Sequence, residues 1–269
     1  MKTEQITKMQ KFTYIQENLR NNKIIRWPDN CFPLKFYIAP FRWYKAPNEA
    51  YKYKQIVMDA LNTWQEISQG KITFDIVNAL TESQINLEWK RVDRKSLGYC
   101  HFNFDTMHRL YSAEVQIGMS DGIIHQQYMD ENEVFHTVLH EIGHSLGLGH
   151  SPDKNDIMYT PHQYGNVRIT QRDIDTLNWL YKLPTGATPQ EIGTKYSLHL
   201  DDIDDIIAYI SENKPASEFE KVKNGIKMPE KDLLDEQTRI AELKKYNLLL
   251  QNIIIPQNIT YPTKKPPQK

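Results

Sequence analysis

The sequence predicts a mixed α/β domain followed by a helical extension. Five short stretches rich in β-branched and aromatic residues are bounded by turn formers, and three longer ones repeat apolar residues at intervals of three and four. A change of composition after Pro184 marks the extension. Strand, helix, four strands and two helices, in that order, make a unit of about 160 residues, an ordinary domain size.

Residues 1–23, MKTEQITKMQKFTYIQENLRNNK, are polar and read as a helical lead-in. FPLKFYIAP (32–40) is the first strand, closed by a proline. In NEAYKYKQIVMDALNTWQEISQG, Tyr53, Ile56, Val57, Ala60, Leu61 and Trp64 fall on one helix face. Asn48 stands at its N-cap position and Gly70 just past its end. ITFDIVN (72–78), INLEWKR (85–91), LGYCHFNF (97–104) and AEVQIGM (113–119) are the remaining strands. ENEVFHTVLHEIGHSLG is a helix that stops at its glycines. ITQRDIDTLNWLYKL is a third, capped by Thr170, with Ile174, Leu177, Leu180 and Tyr181 on its apolar face.

Past Pro184, TGATPQEIG reads as a linker of small, Pro and Gly residues. Two charged helical segments follow, around LDDIDDIIAYISEN and PEKDLLDEQTRIAELKKYNLLLQNIII, and then a Pro/Lys tail of disordered composition. The expected organisation is a lead-in at 1–23, a main domain at 24–184 and an extension at 185–269. Asp201–Asp205 reads as a solvated helix start; it lacks the spacing and glycine of a calcium loop. Leu233, Ile240, Leu243 and Leu250 recur at heptad-like intervals, so these helices either bind a partner or pack on the main domain.

The 33 basic and 34 acidic residues leave a net charge of -1, which argues against nucleic acid or a membrane surface as partner. No apolar run reaches the length of a transmembrane span. The N-terminus lacks the apolar core of a secretory signal, so either the protein is not exported by that route or the leader is absent from this chain. Cys31 and Cys100 offer at most one bridge, and the compartment stays open.

The chemistry concentrates in HTVLHEIGHSLGLGHSPDKNDIMYTP, residues 136–161. His140 and His144 lie four apart on one helical face, where both rings can meet one ion. Glu141 points about 100° away, too far round to ligate but beside the open position of such a site. Gly147 and Gly149 let the chain turn so that His150 returns as a third ligand. Three neutral imidazoles with a fourth position open is the build of a catalytic zinc site.

The full run, His140, Glu141, His144, Gly147, His150 and then Met158 eight residues on, resembles the metzincin signature. With Ser151 after the third histidine, HEIGHSLGLGHSPDKNDIMY is most similar to the matrixins, and the resemblance covers roughly residues 24–183. It implies a zincin-like catalytic domain: a twisted five-stranded, mostly parallel sheet with three helices, one zinc, and endopeptidase activity on extended polypeptides. Glu141 would be the general base and Met158 the apolar floor beneath the zinc ligands. LGYCHFNF would be the edge strand that pairs with substrate, through Gly98, Tyr99 and Cys100, and Pro161 and Tyr164 would line the substrate pocket.

This chain also departs from the family. DRKSLGYCHFNFDTMHRLY does not reproduce the animal loop that binds structural zinc and calcium, so calcium has no support and His101, Asn103, Asp105 and His108 read as exposed. His136 reads as packed or hydrogen-bonded. Cys31, in PDNCFP, does not match the family's latency cysteine. MYTPHQY carries an added residue before its proline. Of the family's Asp-Asp pair, only Asp173 remains, as an anchor for the methionine turn. The family implies secretion. The competing readings are a zinc-binding interaction module with vestigial catalysis and an intracellular processing protease or toxin.

Overall fold

The computed structural model describes residues 11–42, 47–91, 97–119, 131–165 and 168–213. All lie in the first of two units into which the chain divides, Met1–Asn213 and Lys214–Lys269. Strands β1 (Leu34–Ile38), β2 (Phe74–Val77), β3 (Ile85–Arg91), β4 (Gly98–Phe104) and β5 (Leu110–Met119) form one sheet in the order β2-β1-β3-β5-β4. Every pairing is parallel except β4 with β5. The chain dictates this: a short connection joins β4 to β5, whereas β1 and β2 are joined through a helix long enough for a parallel crossover. The five-stranded, mostly parallel sheet is thus present, and β4 is one of its two edge strands, with β2 the other.

That crossover helix is α1 (Pro47–Ile67). It starts at a proline, whose fixed φ suits the first helical position, so Asn48 lies inside the first turn and is not its cap. Its end is closed by Gln69 and Gly70, both in the left-handed region (φ 56° and 74°), whose N–H groups reach Glu66 O at 2.9 Å and Gln65 O at 3.0 Å. Ile56, Val57, Ala60, Leu61 and Trp64 are buried, and Tyr53 packs its ring on Phe41 and Trp89. Helix α2 (Glu131–Ser145) lies between α1 and the β4–β5 side of the sheet, burying Val134, Val138, Leu139 and Ile142. Trp64 binds the two helices together, donating from Nε1 to Leu139 O at 3.1 Å. Truncating such a buried ring costs about 3–5 kcal/mol. Helix α3 (Gln171–Leu180) is capped by Thr170, with Asp173 returning the bond to the cap's backbone.

Three stretches differ from expectation. The described part of the lead-in holds a single 3-10 turn, Ile15–Asn18, in place of an α-helix. Its polar groups bond outward: Tyr14 OH donates to Asp173 (2.7 Å), and Thr13 Oγ1 and Ile15 N donate to Asp204 (2.7 and 2.8 Å). Asp204 is therefore no solvated helix start. It is 3% exposed and holds the N-terminal segment to helix α5 (Ile203–Asn213). Burial pushes its carboxyl up despite these donors. The stretch whose composition predicts a linker contains helix α4 (Pro189–Lys195), with a reciprocal cap between Thr188 and Glu191 and proline in first position. The segment expected to be helical, with Leu233, Ile240, Leu243 and Leu250, and the Pro/Lys tail lie outside the described residues. No described helix is long and apolar enough to cross a membrane.

Candidate metal centre

Helix α2 carries His140 and His144 one turn apart, and the chain beyond it brings back His150. Gly147 makes the return possible: its φ of +94° is closed to most residues, and a Cβ there would meet Ile25 O at 3.0 Å. Gly149 does something else. It has no left-handed φ, and its bare Cα leaves room for Asn18, whose Cβ a side chain would meet at 3.1 Å. Asn18 Nδ2 in turn donates to Gly147 O, fastening the turn from the N-terminal segment.

The three rings converge. Nε2 of His144 lies 3.1 Å from Nε2 of both His140 and His150. The outward nitrogens are held by the backbone: His140 Nδ1 bonds Ile157 O and His144 Nδ1 bonds Leu148 O, each at 2.8 Å. Those carbonyls require the proton on Nδ1, which leaves the Nε2 lone pairs facing one point. Burial pushes the His140 and His144 pKa values down to about 4 and about 3, and that of His150 down as well. All three are neutral at pH 7, the form that ligates. The triad is positioned to bind a metal ion.

Glu141 stands beside the triad, 7% exposed, and burial pushes its pKa up to about 8. Its carboxylate rests on Gly98 at the start of β4, where a Cβ would come within 2.5 Å of Oε1. Met158 is buried beneath the helix against Gly143, where an added Cβ would run into Met158 Sδ and meet Trp64 at 3.0 Å. Ser151 N donates to Met158 O at 2.9 Å, and Asp173 accepts from Ile157 N at 3.0 Å, so the methionine turn is tied both to the third histidine's neighbour and to α3. Ser151 Oγ also donates to Asp156, which accepts from Thr170 Oγ1 at 2.5 Å.

A cleft of about 620 Å³ opens in front of the triad. Gly98, Tyr99 and Cys100 from β4, and Pro161 and Tyr164 from the segment past the methionine, all line it with Glu141 and the three histidines. Cys100 and Cys31 are free and half-buried. Burial, with the nearby Glu141 charge, raises the Cys100 thiol well above its usual range. The loop residues do not gather a second site. Asp105 accepts from Arg109 Nε at 2.8 Å, and His108 is buried and stacked on Phe104, not exposed as expected.

Several contributors to the site were not assigned to it from the sequence. Trp27 Nε1 donates to Ser145 O at 2.8 Å at the end of α2, and Tyr14 and Asn18 reach the site from the chain start. Glu133 and His162 meet at 2.6 Å, with the His136 ring 4.2 Å from that of His162. Two of these had a local signal: Trp27, as a large aromatic at the entrance to the first strand, and His136, one turn before His140 on the same helix.

A family model described as matrixin matches residues 26–182. The chain is 29% identical to interstitial collagenase B of Mus musculus over 156 residues, 53% of this chain and 31% of that protein. It is 25% identical over 189 residues to a putative matrix metalloproteinase of Trichoplusia ni ascovirus 2c, 58% of this chain and 37% of that protein. Over 63 residues (22% of this chain and 15% of the other) it is 44% identical to a probable matrix metalloproteinase of Invertebrate iridescent virus 3. The chain thus spans about a third of the length of the first two relatives.

Proposed function

We propose a zinc-dependent endopeptidase, from one premise: the chain belongs to the matrixin family. The observation that carries the proposal is the convergence of three histidine nitrogens, with His144 Nε2 3.1 Å from Nε2 of both His140 and His150, and a buried carboxyl beside them. Nitrogens at zinc bonding distance in a tetrahedral site stand about 3.3 Å apart, so the triad fits that ion closely. The imidazole donor set also suits zinc over calcium or magnesium.

His140, His144 and His150 hold the metal in this reading, and the catalytic domain is taken as residues 24–184. Zinc bound there supplies a Lewis acid that activates water and polarises the scissile carbonyl. Burial raises the Glu141 carboxyl, and the charge of an ion in the triad would bring it back to the carboxylate form; as carboxylate it takes the proton of the attacking water and passes it to the leaving amine. Met158 floors the site and Gly147 turns the chain. Edge strand β4, through Gly98, Tyr99 and Cys100, pairs with an extended polypeptide by strand addition. Pro161 and Tyr164 border the bound side chains. The relatives named as matrix metalloproteinases support a peptidase of this kind.

The test is cleavage of a degenerate peptide library by the full chain, before and after chelation and again after zinc is restored. Cleavage lost on chelation and recovered with zinc supports the proposal. Metal-loaded protein that cleaves nothing favours a zinc-binding interaction module.

A further inference from the structure

We propose that Glu133, His136 and His162 form a second metal site, distinct from the histidine triad, that takes zinc or another divalent first-row transition ion. One ligand atom from each lies within 4.8 Å of the others. Glu133 and His136 are three residues apart on one face of α2, and His162 reaches them from the segment past the methionine turn.

The cluster is held in place. Glu133 Oε1 accepts from Gly165 N at 2.7 Å, which aims Oε2 at His162 Nε2, 2.6 Å away. The His136 ring stands 4.2 Å from that of His162. His136 is 2% exposed, and its Nδ1 is buried with no hydrogen-bond partner. A buried ring nitrogen with no partner is uncommon and costly. Packing explains why the ring is buried but not why a polar atom is left over, and an ion beside Glu133 and His162 would give it a partner. Two imidazoles and one carboxylate with a position open is a donor set that binds zinc, and imidazole nitrogen selects against calcium and magnesium. The backbone N–H on Glu133 is the kind of outer contact that orients a ligating carboxylate. His136 and His162 line the same cleft as the triad, so an ion held there stands in that cleft.

The test strips the untagged full chain with a chelator, titrates it with zinc alone, and counts tightly bound metal. The variants are Glu133→Gln, His162→Asn and a His140→Ala/His144→Ala double substitution, with circular dichroism to confirm each fold. The expected result is two equivalents for the wild type and one for each variant. One equivalent in the wild type and none in the double variant would overturn this site and leave the peptidase proposal standing. One in the wild type, one in the double variant and none in His162→Asn would support this site and overturn that proposal. Two equivalents persisting in both Glu133→Gln and His162→Asn would place the second ion elsewhere and overturn it too.

Discussion

If the proposed function holds, Gly98→Ala should cut peptide turnover about 100-fold without touching the three histidines proposed to hold the metal. A Cβ at 98 would sit 2.5 Å from Glu141 Oε1, 2.6 Å from Glu141 Cγ and 2.8 Å from Thr137 Cγ2. Restoring an ordinary contact of 3.4 Å moves the Oε1 oxygen by about 0.9 Å. The carboxylate yields because it is the free end of a rotatable side chain, whereas Gly98 is fixed by its pairing with Ile117. A misplacement of about 1 Å at a reacting group costs on the order of 100-fold, or about 2.7 kcal/mol of transition-state stabilisation. Overpacking adds about 1–3 kcal/mol of destabilisation, which leaves the protein folded. The assay compares kcat on a cleaved peptide, bound zinc, and the circular dichroism spectrum. A folded, zinc-replete variant with wild-type kcat would refute the reasoning, because the carboxylate would then not need its observed position.

Gly143→Ala makes the contrast: its Cβ strikes Met158 Sδ and crowds Trp64, so thermal stability should fall along with activity. Asp173→Ala removes an acceptor shared by Ile157 N, Thr170 N and Tyr14 OH, and should cost about 3 kcal/mol or more in urea unfolding; a change below about 1 kcal/mol would dismiss its anchoring role. His136 is held down at about 3 by burial first, then by His162 and His140, so the unfolded chain takes up a proton near pH 6.5 that the folded one refuses. Its stabilising share is intact above that pH and is lost as pH falls toward 3, at about 1.4 kcal/mol per unit. Chelated wild type should therefore lose stability between pH 6.5 and 5 more steeply than His136→Gln, by about one proton's slope; equal slopes would refute it.

What the sequence made legible was local. The spacing of His140 and His144 follows from helix geometry alone, and the left-handed turn at Gly147 follows from glycine's freedom. Strand β3 matched its expected limits because INLEWKR alternates cleanly between turn formers. What was missed is non-local. Asp204 looked solvated because its neighbours in sequence are acidic, but its partners Thr13 and Ile15 lie 191 and 189 positions away. Glu133 and His162 meet across 29 residues, a distance no motif spans. Gly98 reads as an ordinary edge-strand glycine until the carboxylate lying on it is seen. The Thr188-Pro-Gln-Glu191 cap is a different case. It is a recognisable helix start, passed over because threonine, proline and glycine together suggested a linker.

The proposed function requires Glu141 to move protons beside a metal it does not hold. The direct measurement is zinc content and peptide turnover, side by side, for wild type and Glu141→Gln. The variant is expected to keep the wild-type zinc content and fold normally while kcat falls by a factor of 100 or more. Turnover near wild type in zinc-loaded Glu141→Gln, or loss of the triad's zinc with the substitution, would contradict it.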